Sequence, residues 1–152
     1  MLESVHALTG GVIAYEIGSP LLSLPLAFLS HFVIDMLPHW NPSLNKEKVK
    51  LGHISKKTKT VIILDCAFGL FLGLWLAFKK LPNYNQTAVV LLGCLMGILP
   101  DLLEAPYYLL NKKISKLKWL RDFQGKHQFN VPFLPGMIFQ TIFLIFLISI
   151  VK

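Results

Sequence analysis

The chain has 152 residues, of which 54% are hydrophobic and only 15% are charged. A soluble domain carries about 25% charged residues, so this apolar content exceeds what a single water-facing surface can hide. An ordinary soluble fold is therefore excluded, and a lipid bilayer is the simplest environment for the excess. No linker, repeat or low-complexity tract divides the chain, which we interpret as a single transmembrane helical domain over residues 1–152.

Apolar runs in chain order predict the helices. A helix needs about 20 apolar residues to cross a bilayer. Runs at 20–37, 61–78, 88–110 and 131–151 are close to this length and predict four spans. Residues 5–18 would extend only about 21 Å at 1.5 Å per residue, and Gly10 and Gly11 weaken the helix. We therefore predict an all-α membrane bundle of four to five helices, the first of them short or re-entrant.

Basic residues indicate the orientation, because cytoplasmic loops are enriched in lysine and arginine. Two loops that the predicted spans place on the same side carry most of them: Lys46, Lys48, Lys50, Lys56, Lys57, Lys59, Lys112, Lys113, Lys116, Lys118, Arg121 and Lys126. The opposite loop has only Lys79 and Lys80. The pattern predicts a multi-pass protein of the inner (plasma) membrane with this basic face in the cytoplasm. Membrane lipids are the expected partners, and nucleic acid is not expected.

Ionisable side chains interrupt the apolar runs, although a charge within a span costs about 2.5–3.5 kcal/mol. Four are acidic: Asp35, Asp65, Asp101 and Glu104. Four histidines lie near them or near helix ends: His6, His31, His39 and His127. Counted along each predicted helix, these groups fall at similar depths beneath the basic face. We therefore expect them to share one pocket.

His31, Asp35 and His39 form the most informative spacing. His31 and Asp35 are four residues apart, so they lie on one helical face about 6 Å apart along the axis, which suits metal ligands. Pro38 disfavours helical geometry at the residue before it, so we expect the helix to end there and His39 to fold back over the site. A buried His–Asp pair that only fixes helix packing is the alternative.

The motifs resemble those of the membrane-bound metal-dependent hydrolases, a family likened to zinc-dependent phospholipase C and P1 nuclease. The likeness lies in His6-Ala7-Leu8-Thr9-Gly10, in Ser30-His31 to Asp35, in Pro38-His39-Trp40 and in Pro100-Asp101. The resemblance implies a hydrolase that uses a divalent metal, with zinc favoured, and cleaves a phosphoester or lipid headgroup. It implies His6, His31, Asp35, His39 and Asp101 as metal ligands. This chain differs near its C-terminus, where Lys126-His127-Gln128 has no second histidine after it.

Under the hydrolase hypothesis, Glu104 or Asp65 is the expected general base, and His127 is a further catalytic candidate. Lys126 or Arg121 would hold the substrate phosphate. Two other functions remain open on the sequence. Buried carboxylates and histidines also relay protons or metal ions in transporters. In a non-catalytic protein, a polar cluster can serve only to hold helices together.

Overall fold

The protein is entirely helical over the residues that its computed structural model describes, which are 1–110, 112 and 114–151. Lys113, counted above in the second basic loop, lies outside them. The described part contains seven α-helices: α1 (Glu3–Ile17), α2 (Pro20–Asp35), α3 (Leu44–Leu51), α4 (Lys56–Phe78), α5 (Tyr84–Leu109), α6 (Lys118–His127) and α7 (Phe133–Ile150). One 3-10 turn, Ser115–Leu117, precedes α6. The predicted all-α class is confirmed for these residues.

Three helices are long and apolar enough to cross a membrane. They are α4, α5 and α7, with 23, 26 and 18 residues and mean hydropathies of 2.3, 1.9 and 2.2. They correspond to the predicted runs 61–78, 88–110 and 131–151. The run at 20–37 forms a shorter apolar helix, because α2 has only 16 residues. A bundle of four to five spans therefore stays a prediction.

Helix α1 lies at the centre of the fold and contacts α2, α4, α5 and α7. It is short, as predicted, since its 15 residues extend about 22 Å. Most of its side chains are buried, including Val5, Leu8 and Val12. At the end of α1 away from its N-terminus, Leu8 and Val12 join an apolar core with Leu76 of α4 and Val90 of α5. A helix with buried residues around its whole circumference belongs in such an interior.

Glycines bring α1 and α5 into close contact. A Cβ atom added to Gly10 would overlap the carbonyl oxygen of Gly93 and meet the Cα atom of Gly97. A Cβ atom on Gly97 would overlap the carbonyl oxygen of His6. Small residues at helix crossings let two backbones approach directly, which is common between helices in membranes. This crossing places His6 beside the middle of α5.

Helices α3 and α6 were not predicted, because neither is a long apolar run. Glu47 holds α3 against the start of α4: its carboxylate accepts hydrogen bonds from the Ser55 backbone N–H at 3.0 Å and the Thr58 hydroxyl at 2.7 Å. These bonds keep the pKa of the Glu47 carboxyl below its usual range, because they favour the ionised form. The two basic loops are thus partly helical.

We expect Gly10→Val to lower the melting temperature in detergent, because the new side chain must push α1 away from α5. Overpacking of this kind costs about 1–3 kcal/mol. Gly125→Ala in α6 is the control, since a Cβ atom there meets nothing within 4 Å. Circular dichroism during heating measures both. A melting temperature for Gly10→Val equal to that of the control would contradict the close crossing.

Candidate functional site

Asp35, the last residue of α2, is the centre of a buried cluster of ionisable groups. Its side chain is 3% exposed. Its Oδ1 lies 3.2 Å from Nε2 of His6 and 3.8 Å from Nε2 of His39. Its Oδ2 lies 3.7 Å from Nε2 of His31. The α-amino group of Met1 also contacts Oδ1. Three histidines from different parts of the chain therefore face one carboxylate.

The path of the chain after α2 brings His39 back over Asp35. The helix ends before Pro38, as predicted, and the backbone of His39 then pairs with the segment before α7. The N–H of His39 donates to the carbonyl of Phe129 at 3.1 Å, and the N–H of Val131 donates to the carbonyl of His39 at 2.8 Å. His39 is completely buried as a result.

Backbone carbonyls determine which ring nitrogen carries the proton in two of the histidines. Nδ1 of His31 lies 2.8 Å from the carbonyl oxygen of Gly97, and Nδ1 of His39 lies 2.8 Å from that of Leu37. A carbonyl only accepts, so each Nδ1 donates its hydrogen and each neutral ring keeps its lone pair on Nε2. Nε2 of His39 faces Asp35. Nε2 of His31 lies near Asp35 and accepts a hydrogen bond from the Gln124 amide at 2.9 Å. Metal-binding histidines are commonly oriented in this way.

His6 is the clearest sign of an incomplete site. It is completely buried, and neither ring nitrogen makes a hydrogen bond of good geometry among the residues described, although Nε2 lies 3.2 Å from Oδ1 of Asp35. Its ring stacks on that of His31, with centroids 3.9 Å apart. Burying a polar group without a partner costs about 1–3 kcal/mol. A cation that accepts the free lone pair would remove this cost.

Asp101 of α5 completes a possible set of metal ligands with these two histidines. Its Oδ1 lies 3.6 Å from Nε2 of His31. One ligand atom each from His6, His31 and Asp101 lie within 4.8 Å of one another. Nitrogen and oxygen donors at this spacing suit a divalent ion such as zinc. The five predicted ligands thus lie together in the structure: His6, His31, Asp35, His39 and Asp101.

Gln124 of α6 and Gln128, the residue directly after α6, cover the cluster, and the sequence analysis missed both. The amide of Gln124 donates to Oδ1 of Asp101 at 2.8 Å and lies 2.9 Å from Nε2 of His31. The amide of Gln128 donates to Oδ2 of Asp35 at 3.1 Å. The four-residue spacing of Leu120, Gln124 and Gln128 would have placed them on one helical face. Because this polar segment is not predicted to be a helix, the four-residue spacing carries no prediction for these side chains.

A cavity of about 320 Å³ adjoins the cluster, and we call it the polar pocket. Asp101, Gln124 and Gln128 separate it from the histidines. Its other polar lining includes three acidic residues and two basic ones: Glu3, Asp65, Glu104, Lys46 and Arg121. The pocket therefore offers both carboxylates and cations next to the candidate metal ligands.

The three predicted catalytic residues lie in different settings. Glu104 lines the polar pocket, is 6% exposed, and its Oε1 has no hydrogen-bond partner among the residues described. Asp65 also lines the pocket, but it accepts hydrogen bonds from the N–H of Glu3 at 2.6 Å and of Ser4 at 3.3 Å, so it caps α1. His127 is exposed at the end of α6, where Nδ1 bonds to the carbonyl of Phe123. It is not part of the pocket lining.

We compared the chain with protein-family models, with curated proteins and with solved structures, and none of them matches. The likeness to the membrane-bound metal-dependent hydrolases stays a prediction from the motifs.

Proposed function

We propose that the protein is a membrane-embedded hydrolase that depends on a divalent metal and cleaves a phosphoester or a lipid headgroup. The observation that carries this proposal is the completely buried His6, whose ring nitrogens make no hydrogen bond among the described residues and whose Nε2 lies 3.2 Å from the carboxylate of Asp35. It lies beside His39, whose Nε2 also has no hydrogen bond among these residues and lies 3.8 Å from Asp35. It also lies beside His31, whose Nε2 is 3.7 Å from Asp35 and accepts a hydrogen bond from the Gln124 amide. Such a set of lone pairs and negative charges is stable in an apolar interior when a cation joins them.

His6, His31 and Asp101 are the proposed core ligands, because one ligand atom from each lies within 4.8 Å of the other two. Asp35 and His39 lie next to them and would bind the same ion or a neighbouring one. Zinc is favoured, since it commonly takes imidazole nitrogen and carboxylate oxygen. A divalent ion there would supply Lewis acidity toward a phosphoryl oxygen and lower the pKa of a water molecule.

Glu104 is the proposed general base. Glu104 lines the pocket and its Oε1 has no hydrogen bond among the described residues, so its carboxylate would take a proton from the attacking water. The water oxygen then bonds to phosphorus, the bond from phosphorus to the leaving oxygen breaks, and the leaving alcohol takes up a proton. Arg121 and Lys46 line the same pocket, where their charges would attract the phosphate. Arg121 lies 3.9 Å from the centre of the Tyr107 ring. Lys126 and His127 are exposed and are assigned no role.

The proposed location is the inner membrane, with α2 as a short fourth span and the polar pocket facing the cytoplasm. The positive-inside rule supports this orientation, because the basic loops containing α3 and α6 adjoin the pocket. A transport function is less well supported. The other end of the bundle is closed by apolar residues such as Leu76 and Val90, which provide no polar path across.

We expect the wild type purified in detergent to contain a divalent metal and His6→Ala to lose most of it, because the buried donor is removed. Elemental analysis by mass spectrometry gives the metal content per protein. The control is His53→Ala, since His53 is an exposed residue of the basic loop. Equal metal content in His6→Ala and the control would contradict the ligand assignment.

Glu104→Gln should keep the metal and lose at least about a hundredfold in turnover of p-nitrophenyl phosphate, because general-base catalysis contributes about 10²–10⁴-fold. Metal content and initial rates are measured on the same preparations. Glu16→Gln is the control, since Glu16 is exposed near the other end of α1. Full activity in Glu104→Gln would remove it as the base. Metal without any phosphoester cleavage by the wild type would favour a binding protein.

Cysteine labelling tests the orientation. In a variant without Cys66 and Cys94, we expect a membrane-impermeant maleimide to label Tyr84→Cys in intact spheroplasts. Lys50→Cys should react only after lysis, because it lies on the basic face. Both positions are exposed, which makes them comparable. Labelling of Lys50→Cys in intact spheroplasts would place the pocket outside the cytoplasm.

A further inference from the structure

A second cavity, of about 210 Å³, forms an apolar groove along α4 and α5. Its floor includes Gly69, Gly73 and Cys94, which are buried, and its rim includes Leu70, Leu91 and Leu95, which are exposed. The glycines contribute no side chain, and a Cβ atom on Gly73 would lie 3.2 Å from Sγ of Cys94. The small residues therefore form the bottom of the groove, and the leucine side chains form its two edges.

The groove continues from the polar pocket. Glu3 lines both cavities. Along α4, Ile62 and Asp65 line the pocket, and the next turns, from Cys66 to Leu74, line the groove. The eight residue-to-residue intervals from Cys66 to Leu74 extend about 12 Å at 1.5 Å per residue. The groove thus runs from the polar pocket along two helices that are apolar enough to cross a membrane.

The position of the groove on two candidate membrane-spanning helices limits which molecules can fill it. Hydrocarbon, and not water, surrounds the middle of a membrane-spanning helix. The polar pocket, at one end of the groove, offers the charges of Arg121 and Lys46 to a phosphate. Apart from Glu3, the residues that line the groove offer only apolar and thiol surface. A molecule that matches both has an anionic head and an apolar tail.

We propose that the substrate is a phospholipid whose phosphate enters the polar pocket while one acyl chain lies in the groove between α4 and α5. The proposal rests on the hydrolase function given above and names its substrate class. A single groove of this volume takes one chain. The arrangement positions the headgroup beside Asp101 and Glu104 and leaves the tail in the membrane.

The first test compares probes of different acyl-chain length on the wild-type protein. The probes are octanoyl and palmitoyl lysophosphatidic acid in detergent micelles, with p-nitrophenyl phosphate as a substrate that has no acyl chain. We expect kcat/KM to be several-fold higher for the palmitoyl probe, because the longer chain fills more of the groove. Equal values for both chain lengths would overturn the groove assignment while leaving the hydrolase intact.

Leu95→Trp, which adds bulk at the rim, gives the second test. The matched control is Leu92→Trp: Leu92 is 46% exposed against 43% for Leu95, and it does not line the groove. Leu95→Trp should lower palmitoyl cleavage several-fold and leave p-nitrophenyl phosphate cleavage at the control value. Identical palmitoyl cleavage in the two variants would contradict the proposal.

Binding separates this proposal from the proposed function. Electron paramagnetic resonance of a spin-labelled stearoyl lysophosphatidic acid reports the immobilised fraction without any turnover. We expect Leu95→Trp to reduce this fraction and Leu92→Trp to keep it. If no phosphoester is cleaved but the fraction falls as expected, the hydrolase fails and the lipid groove stands. If neither variant changes the fraction, the groove fails, because the lipid then only covers the surface nonspecifically.

Discussion

The burial of one carboxylate and three histidines among apolar helices is the constraint on which the rest of the structure depends. His6, His31 and His39 are completely buried and Asp35 is 3% exposed. A charge within an apolar span costs about 2.5–3.5 kcal/mol, so the cluster persists only if its members satisfy one another or bind an ion. Hydrogen bonds from Nδ1 of His31 and of His39 to backbone carbonyls leave the lone pair of each ring on Nε2, near Asp35, where that of His31 accepts from the Gln124 amide. The same bonds that hold the rings in place thus prepare them for a cation.

The packing of α1 against α5 helps to position the side chains of this cluster. Gly97 lies at the close crossing of α1 and α5, and its carbonyl also accepts the hydrogen bond from His31. One glycine therefore links the position of His6, the orientation of His31 and the approach of α5. The polar groups lie at the end of the bundle nearest the basic loops, and the larger of two apolar core clusters lies at the other. The proposed reaction would therefore take place at one membrane face.

Hydrophobic runs and residue spacing predicted much of this arrangement. The apolar runs identified α2, α4, α5 and α7, and Pro38 correctly placed the end of α2. The spacing of His31 and Asp35 placed both on one face, where the structure has them. Helices α3 and α6 were missed because they are short and polar. Without α6, the positions of Gln124 and Gln128 over the cluster could not be predicted either. The capping role of Asp65 was also beyond prediction, since it depends on backbone N–H groups of α1 that only the folded packing brings near.

X-ray absorption at the zinc edge tests the central claim most directly, because it reports the atoms bound to the ion in the intact protein. The account predicts a shell of imidazole nitrogens and carboxylate oxygens at about 2.0–2.2 Å, with the multiple-scattering signature of at least two histidines. His53→Ala should leave this signature unchanged, and His31→Ala should weaken it. A shell of thiolate sulfur, or of water oxygens without imidazole, would contradict the account.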